Sequence, residues 1–217
     1  MANLTSFTLS YTPEEIPVGQ ILDFFESAPH LKTIEHNPKN FSNFTAIRLH
    51  RTGMEFSGPN GQVKIALRTS RDGSTELTLG SLAELDTSKT ERLEIEDGDL
   101  LSKEPLYEAL LPMKDLRTFT LSDCISPGVL IRALQPTTSS SEVMVCPKLE
   151  EFVLVHYPFY FGLEPPEMTS TIVMAAARAS RGGKLKTVRI LCRHGTAGLD
   201  LSELRKHVWN VEYGHID

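Results

Sequence analysis

The sequence predicts an α/β fold, namely an irregular solenoid with a mostly parallel sheet and with helices on the other side of that sheet. Three observations support this prediction: a short apolar pattern recurs along most of the chain, helix-like segments lie between its copies, and the copies are unevenly spaced. The 217 residues, of which 40% are hydrophobic, are enough to bury one core. We therefore expect residues 1–217 to form a single domain.

The recurring pattern is L-x-x-Φ-x-Φ, where Φ is an apolar residue. Its last two apolar positions are two residues apart, so in an extended strand they share one face and the residue between them lies on the other. Each copy therefore predicts a strand with one buried face and one solvent-facing face. Clear copies begin at Leu4, Leu116, Leu149 and Leu185, and weaker ones include residues 31–34, 44–49, 93–95 and 208–213.

A strand followed by a helix is the repeating unit of leucine-rich repeats, and the segments between the copies have helical character. Residues 168–180 are rich in alanine and are followed by Gly182 and Gly183, which favours a helix that stops there. The sequence thus predicts a leucine-rich-repeat-like arrangement with helices at residues 18–27, 106–111, 168–180 and 201–208.

The solenoid is expected to be irregular because its copies at residues 116, 149 and 185 are farther apart than the ~20–29 residues of regular leucine-rich repeats. The extra length has the composition of loops, since residues 136–147 are rich in Ser and Thr and residues 157–166 are aromatic. We expect both insertions at strand-to-helix corners.

Residues 53–86 depart from the pattern and predict a β-hairpin insertion. Residues 63–68 (VKIALR) and 76–79 (ELTL) have strand character, and turn-forming residues lie at 58–61 and 72–73. Two or three antiparallel strands are expected, either extending the solenoid sheet or lying across it.

Charge and cysteine content exclude several functional classes. The net charge of −6 argues against nucleic-acid binding, which needs clustered Lys and Arg, and agrees better with a basic partner. Cys124, Cys146 and Cys192 form no CxxC pair, so neither a disulfide framework nor a zinc site is indicated. The N-terminus lacks signal-peptide features and no stretch approaches ~18 apolar residues. We therefore predict a cytoplasmic or nuclear protein without a membrane partner.

No residue is predicted to be catalytic, cofactor-binding or metal-binding. Cys192 and His194, with His207 and His215 downstream, could form a metal site or a nucleophile pair, but no third, orienting group is indicated. Cys124 is expected to be a small buried side chain at the corner after a strand. The Gly182-Gly183-Lys184 segment lacks the spacing of a phosphate-binding loop. The chain is thus expected not to be an enzyme and to need no cofactor.

Several segments resemble the leucine-rich-repeat region of F-box-type proteins of mushroom-forming (basidiomycete) fungi. They are residues 86–95 (DTSKTERLEI), 110–118 (LLPMKDLRT), 146–151 (CPKLEE) and 175–182 (AAARASRG) with 184–186 (KLK). In that family an F-box binds the Skp-type adaptor of a cullin ubiquitin ligase, and the repeats hold the substrate. The resemblance therefore implies the substrate-recognition part of a ubiquitin-ligase adaptor.

The chain also departs from that family. It begins with a repeat strand at residues 4–9, which leaves no room for the helical F-box, and it lacks an end cap. Only Cys124 occupies the Asn or Cys position that follows the apolar residues of a regular repeat. We expect a fragment, a truncated gene model or a degenerate relative that meets a cullin ligase only if an F-box precedes it. The alternative is a stand-alone or degenerate structural or regulatory leucine-rich-repeat protein with no ligase role.

The predicted protein-binding surface is the outward face of the repeat strands, where side chains project at every second position. On three strands its residues are Arg117, Thr118 and Thr120, then Glu150, Glu151 and Val153, then Lys186, Thr187 and Arg189.

Two further clusters are candidates for contacts with the unidentified protein partner. Tyr157, Phe159 and Tyr160, with His156 and Phe161, either form a binding hot spot or cover the gap left by the insertion. An acidic run is either a solvated loop or a contact for a basic partner; it comprises Glu94, Glu96, Asp97 and Asp99.

Overall fold

The computed structural model describes residues 6–11, 45–50, 53–58, 61–67, 82, 86–96, 103–122, 124, 127–135, 144–156, 165–192 and 200–215. The strands in this part of the chain are β1 (Ser6–Tyr11), β2 (Ala46–His50), β3 (Gly53–Gly58), β4 (Gly61–Leu67), β5 (Arg92–Glu96), β6 (Thr118–Ser122), β7 (Glu151–His156), β8 (Thr187–Cys192) and β9 (Asn210–His215). The helices are α1 (Lys103–Leu110), α2 (Pro127–Ala133), α3 (Pro165–Ser180) and α4 (Ser202–His207).

The nine described strands form one open sheet in the order β1-β4-β3-β2-β5-β6-β7-β8-β9. Every pairing in it is parallel except those of β3, which runs antiparallel to both β2 and β4. From β5 onward the spatial order follows the chain, with one of the four helices in each connection. The predicted α/β class and mostly parallel sheet are confirmed.

The helices form a row, since α1 contacts α2, α2 contacts α3, and α3 contacts α4. Their apolar side chains share one core with the inward side chains of the strands. The inward positions of β5 to β8 are in register and buried, and they comprise Leu93, Phe119, Phe152 and Val188, then Ile95, Leu121, Leu154 and Ile190. Each such burial stabilises the fold by roughly 1.5–3 kcal/mol, so the apolar pattern determines which face the helices cover.

A recurring main-chain hydrogen-bond pattern lies at the start of the strands β5 to β8, next to the first leucine where the copy has one. The carbonyl oxygen of Arg117 accepts hydrogen bonds from two successive amides of the next repeat, Glu150 and Glu151, both at 2.9 Å. The carbonyls of Thr45, Glu91 and Glu150 each accept two amides in the same way. The leucines just before three of the strands, Leu116, Leu149 and Leu185, are buried. The chain is therefore held at the start of each strand by both packing and main-chain hydrogen bonds.

The insertion extends the sheet. β3 and β4 form an antiparallel pair that lies between β2 and β1, in the same sheet as the repeats. β4 corresponds to the strand predicted at residues 63–68, whereas β3 was not predicted as a strand. The predicted strand at residues 76–79 lies outside the described residues, as do the predicted helix at 18–27 and the weak copy at 31–34.

One helix was missed, and this changes the position of one insertion. α2 begins at Pro127, a favourable first helical residue, but Gly128 and a length of seven residues weaken its signal. Residues 136–147 follow this helix and precede β7, so they lie on a helix-to-strand connection and the prediction of a strand-to-helix corner was wrong. Residues 157–166 lie largely between β7 and α3, as predicted.

A buried arginine holds the ends of the 136–147 insertion in place. Arg178 of α3 is fully buried, and its Nη1 and Nη2 donate hydrogen bonds to the carbonyl oxygens of Val145 (2.9 Å) and Cys146 (2.8 Å). Nη1 also lies 3.5 Å from the carbonyl oxygen of Leu134, on the other side of the insertion. One side chain thus connects α3 to Leu134, just before the insertion, and to Val145 and Cys146 near its end.

The neighbouring Cys146 predicts a pH dependence of stability. Burial raises the pKa of its thiol to about 12, although the charges of Arg178 and Lys114 oppose this shift. The folded state therefore keeps a proton that the unfolded chain loses near pH 9. This contribution to stability is complete below pH 9 and is lost as the pH rises toward 12, at a rate of up to ~1.4 kcal/mol per pH unit.

The pH dependence is measured by urea unfolding of the wild-type chain and of Cys146→Ala at about pH 8 and about pH 10. The wild type is expected to lose more stability than the variant between these two conditions. Equal losses would show that the Cys146 thiol ionises as easily in the folded state as in the unfolded chain.

Candidate functional site

The sheet face opposite the helices carries the charged and polar residues between the apolar positions. One row of this face crosses the sheet in register from β2 through β5 to β9. We call it the outer row, and its members are Arg48, Glu94, Thr120, Val153, Arg189 and Glu212. A groove of about 650 Å³ lies on this face and is lined by residues of β3, β2, β5, β6, β7 and β8.

The groove brings together five of the nine outward residues that the sequence predicts on the three repeat strands. These five are Thr118, Thr120, Glu151, Val153 and Arg189. Val153 is only 7% exposed, because its neighbours in the outer row are close on both sides. Thr187 is the first residue of β8 but does not line the groove, and Arg117, Glu150 and Lys186 lie at the positions just before the strands.

The aromatic candidates begin at the end of β7 and continue beyond it. His156 is the last residue of β7, and nothing is described of its side chain. Tyr157, Phe159, Tyr160 and Phe161 lie outside the described residues.

The acidic run is not a solvated loop where the structure describes it. Glu94 and Glu96 belong to β5, and both are paired with Arg48 on the adjacent strand, at 3.5 Å from Nε and 2.8 Å from Nη2. Asp97 and Asp99 lie outside the described residues. Of the two alternatives for this run, the solvated loop does not hold for Glu94 and Glu96, which lie in the strand that the weak copy at residues 93–95 predicts and share Arg48 as their cationic partner.

A second set of ion pairs lies on the other side of the groove. Arg189 Nε is 3.2 Å from a carboxylate oxygen of Glu151 and 2.8 Å from one of Glu212. Glu151 also accepts a hydrogen bond from the hydroxyl of Thr118, at 3.2 Å. The carboxylate of Glu151 is therefore held by two neighbouring strands.

The positions just before the strands form a third charged group. Glu150 accepts from Lys186 at 2.8 Å and from Arg117 at 3.3 Å. The hydrogen bond from Lys186 is the main cause that lowers the pKa of Glu150. Lys148 and Lys89 likewise lower the pKa of Asp115. Exposed pairs of this kind contribute at most ~1 kcal/mol each, so they orient side chains more than they stabilise the fold.

Several residues of the face were missed by the sequence analysis. Arg48, Glu55 and Arg92 line the groove from β2, β3 and β5. Arg48 could have been found, because it lies between two apolar residues of the weak copy at 44–49. Glu94 in the copy at 93–95 and Thr120 in a clear copy have the same position. Glu55 lacked such a signal because β3 itself was not predicted.

The remaining candidates are the cysteines and a metal site. Cys124 is buried, as predicted, and its Sγ lies 3.5 Å from the carbonyl oxygen of Ser122. Cys192 is buried at the end of β8, whereas His194 lies outside the described residues. No group of three or more His, Cys, Asp or Glu residues in the described part of the chain is arranged to hold a metal ion.

Comparisons with known proteins leave the function to be inferred from this geometry. No family model, no curated protein and no solved structure matches the chain. In the part of the chain that the structure describes, none of the helices has the length and apolar character needed to span a membrane.

Proposed function

We propose that this chain is a protein–protein interaction module, built as an irregular leucine-rich-repeat-like solenoid, that binds its partner on the open sheet face in the cytoplasm or nucleus. The observation that carries this proposal is the outer row, whose centre at Thr120 and Val153 is uncharged and is flanked by ion-paired residues on both sides. A poorly charged centre inside a polar rim is the usual anatomy of a protein interface. The proposed activity is binding and not catalysis.

The solenoid part of the proposal is supported by the repetition of contacts. From β5 onward each strand pairs with the next strand along the chain, and each helix contacts the next helix. The double acceptance of main-chain amides by one carbonyl recurs at four successive positions. Units that contact only their neighbours are typical of solenoids, which use an extended sheet surface for binding.

The family resemblance supports a more specific proposal, that the module is the substrate-recognition part of an F-box-type ubiquitin-ligase adaptor. Recruitment of the cullin ligase would then depend on an F-box encoded before residue 1. The 5′ end of the transcript in the source cells tests this point. An in-frame F-box there supports the ligase proposal, whereas translation that starts at Met1 excludes recruitment by that route.

The binding proposal predicts that Thr120→Arg abolishes partner capture without unfolding the chain. A long cation at the centre of the outer row blocks contact with a partner. Thr120 is half-buried but lies on the face away from the described helices, so the free energy of unfolding is expected to fall by only about 1 kcal/mol. The experiment compares the proteins that immobilised wild type and variant retain from extracts of the source cells.

Thr169→Arg is the matched control, because Thr169 is exposed on α3, on the helix side of the molecule. Proteins retained by the wild type and by Thr169→Arg, but not by Thr120→Arg, support the proposed face. If both variants retain the same proteins as the wild type, the partner binds elsewhere. If Thr120→Arg alone loses much of its stability, the face was assigned incorrectly.

A further inference from the structure

Arg92 differs from the other charged side chains that line the groove. Arg48 is paired with Glu94 and Glu96, and Arg189 is paired with Glu151 and Glu212. Glu55 also has an interaction partner. Arg92 is exposed on β5, and no acidic side chain of the described residues lies within ion-pairing distance of it. Of the three guanidiniums that line the groove, it is the one that no carboxylate of the described residues pairs with.

The surroundings of Arg92 leave space for a ligand. Its partners in register are Ala46 on β2 and Thr118 on β6, and Ser57 lies beyond Ala46 on β3. These neighbours are short and uncharged. Glu94, two residues farther along β5, is already held by Arg48. The guanidinium of Arg92 therefore lies in a row of small side chains, between the two ion-paired clusters.

We propose that the groove binds an acidic segment of a protein partner, and that one carboxylate side chain of this segment pairs with Arg92. This inference rests on the proposed binding function and specifies the chemistry of the partner. A guanidinium offers a planar set of donors that matches a carboxylate in a bidentate, charge-assisted pair. The partner supplies the counter-ion that the described residues do not provide at this position.

The size of the groove suits an extended segment. Its lining crosses six adjacent strands, from β3 to β8. At ~4.8 Å between neighbouring strands this distance is about 24 Å, which an extended peptide of about seven residues spans at ~3.4 Å per residue. One acidic residue near the middle of such a peptide reaches Arg92 while its neighbours contact Thr118, Thr120 and Val153.

A basic segment or a nucleic acid fits these residues less well. A basic segment would meet the unpaired Arg92 near the middle of the groove, where the nearest carboxylates, Glu94 and Glu151, are already held by Arg48 and Arg189. Phosphate backbones bind to clusters of Lys and Arg, whereas the groove presents one uncompensated cation between carboxylates. The unpaired guanidinium of Arg92 therefore favours a single carboxylate flanked by neutral residues, because further acidic residues would meet the carboxylates that share Arg48 and Arg189.

The test uses a displayed library of random nonapeptides, selected on the full-length chain. We expect the selected peptides to carry Asp or Glu at one common central position. Binding of a selected peptide, measured by fluorescence anisotropy, is expected to weaken about tenfold or more in Arg92→Gln, because a charge-assisted hydrogen bond is lost. Arg132→Gln is the matched control, since Arg132 is exposed on α2, and it is expected to leave binding unchanged.

A charge exchange makes the test specific. Arg92→Glu is expected to reject the acidic peptide and to bind the same peptide with Lys at the central position more tightly than the wild type does. Selected peptides without a preferred acidic position, a failure to select any peptide, or equal binding by Arg92→Gln and Arg132→Gln each overturn the inference. So does tight binding of a poly-dT oligonucleotide that Arg92→Gln abolishes, because phosphate would then be the ligand.

The same peptides separate this inference from the proposed function. Peptides that lose binding to Thr120→Arg but not to Arg92→Gln refute the role of Arg92 and leave the binding face in place. Peptides that bind both variants as well as the wild type contact another surface, which refutes the acidic-segment inference and counts against the proposed face.

Discussion

Replacing Arg178 with Met is expected to lower the free energy of unfolding by about 2–4 kcal/mol. The Met side chain fills similar space but donates no hydrogen bond, so the carbonyl oxygens of Val145 and Cys146 remain buried without a donor. Relief from burying a charged guanidinium offsets part of the loss. That burial also lowers the pKa of Arg178 from its ordinary value.

Urea unfolding followed by circular dichroism measures this loss. Arg178→Lys is expected to lose less stability than Arg178→Met, because an ammonium retains donors but not the planar arrangement that reaches two carbonyls. Arg132→Met is the control at an exposed position, with an expected change within about 0.5 kcal/mol. An Arg178→Met variant as stable as Arg132→Met would show that the guanidinium does not hold the chain beside the insertion.

Arg178 also illustrates where sequence analysis stops. The helix at residues 168–180 was predicted from its alanine content and from the glycines that follow it, which are local properties. Thr171, Met174, Ala175 and Arg178 are buried at the spacing of one helical face. The partners of Arg178 are carbonyls 32 to 44 residues earlier in the chain. Periodicity identifies the face on which an arginine lies, but it contains no information on distant acceptors.

The same limit separates the elements that were predicted from those that were missed. β6, β7 and β8 follow clear copies of the apolar pattern, whose two-residue spacing is a local property. β3 has only Phe56 as a fully buried apolar side chain among those described, and its pairing with β2 and β4 is what makes it a strand. In α2 the burial of Leu130 and Ile131 by neighbouring elements offsets the unfavourable Gly128.

For the candidate site, alternation along a strand predicted the outward residues of β6 to β8 but not how they combine. Lateral register places Arg48 beside Glu94 and Arg189 beside Glu212, and these contacts join residues far apart in the chain. The acidic run appeared exposed in the sequence because Arg48 precedes it by more than forty residues. This register decides which charges are paired within the described part of the chain, and therefore that Arg92 has no carboxylate partner there.

Phe119→Ala is expected to lower the free energy of unfolding by about 3–5 kcal/mol, the largest effect of any substitution proposed for this chain. Phe119 is fully buried in β6, in register with Leu93 and Phe152, and its ring centroid lies 6.2 Å from that of Phe152. Truncation removes apolar contacts and leaves a cavity between the sheet and the helices. Urea unfolding measures the loss, and Phe119→Leu is expected to lose less because it fills more of the space.

Thr120→Ala is the matched comparison, because Thr120 is the next residue of the same strand and lies on the opposite face. Its expected loss is within about 0.5 kcal/mol, since none of the described helices packs against the outer row. If Thr120→Ala were the more destabilising substitution, the two faces of β6 would be exchanged and the proposed binding surface would be the core. The pair of variants therefore tests the fold and the location of the site together, since one strand supplies both faces.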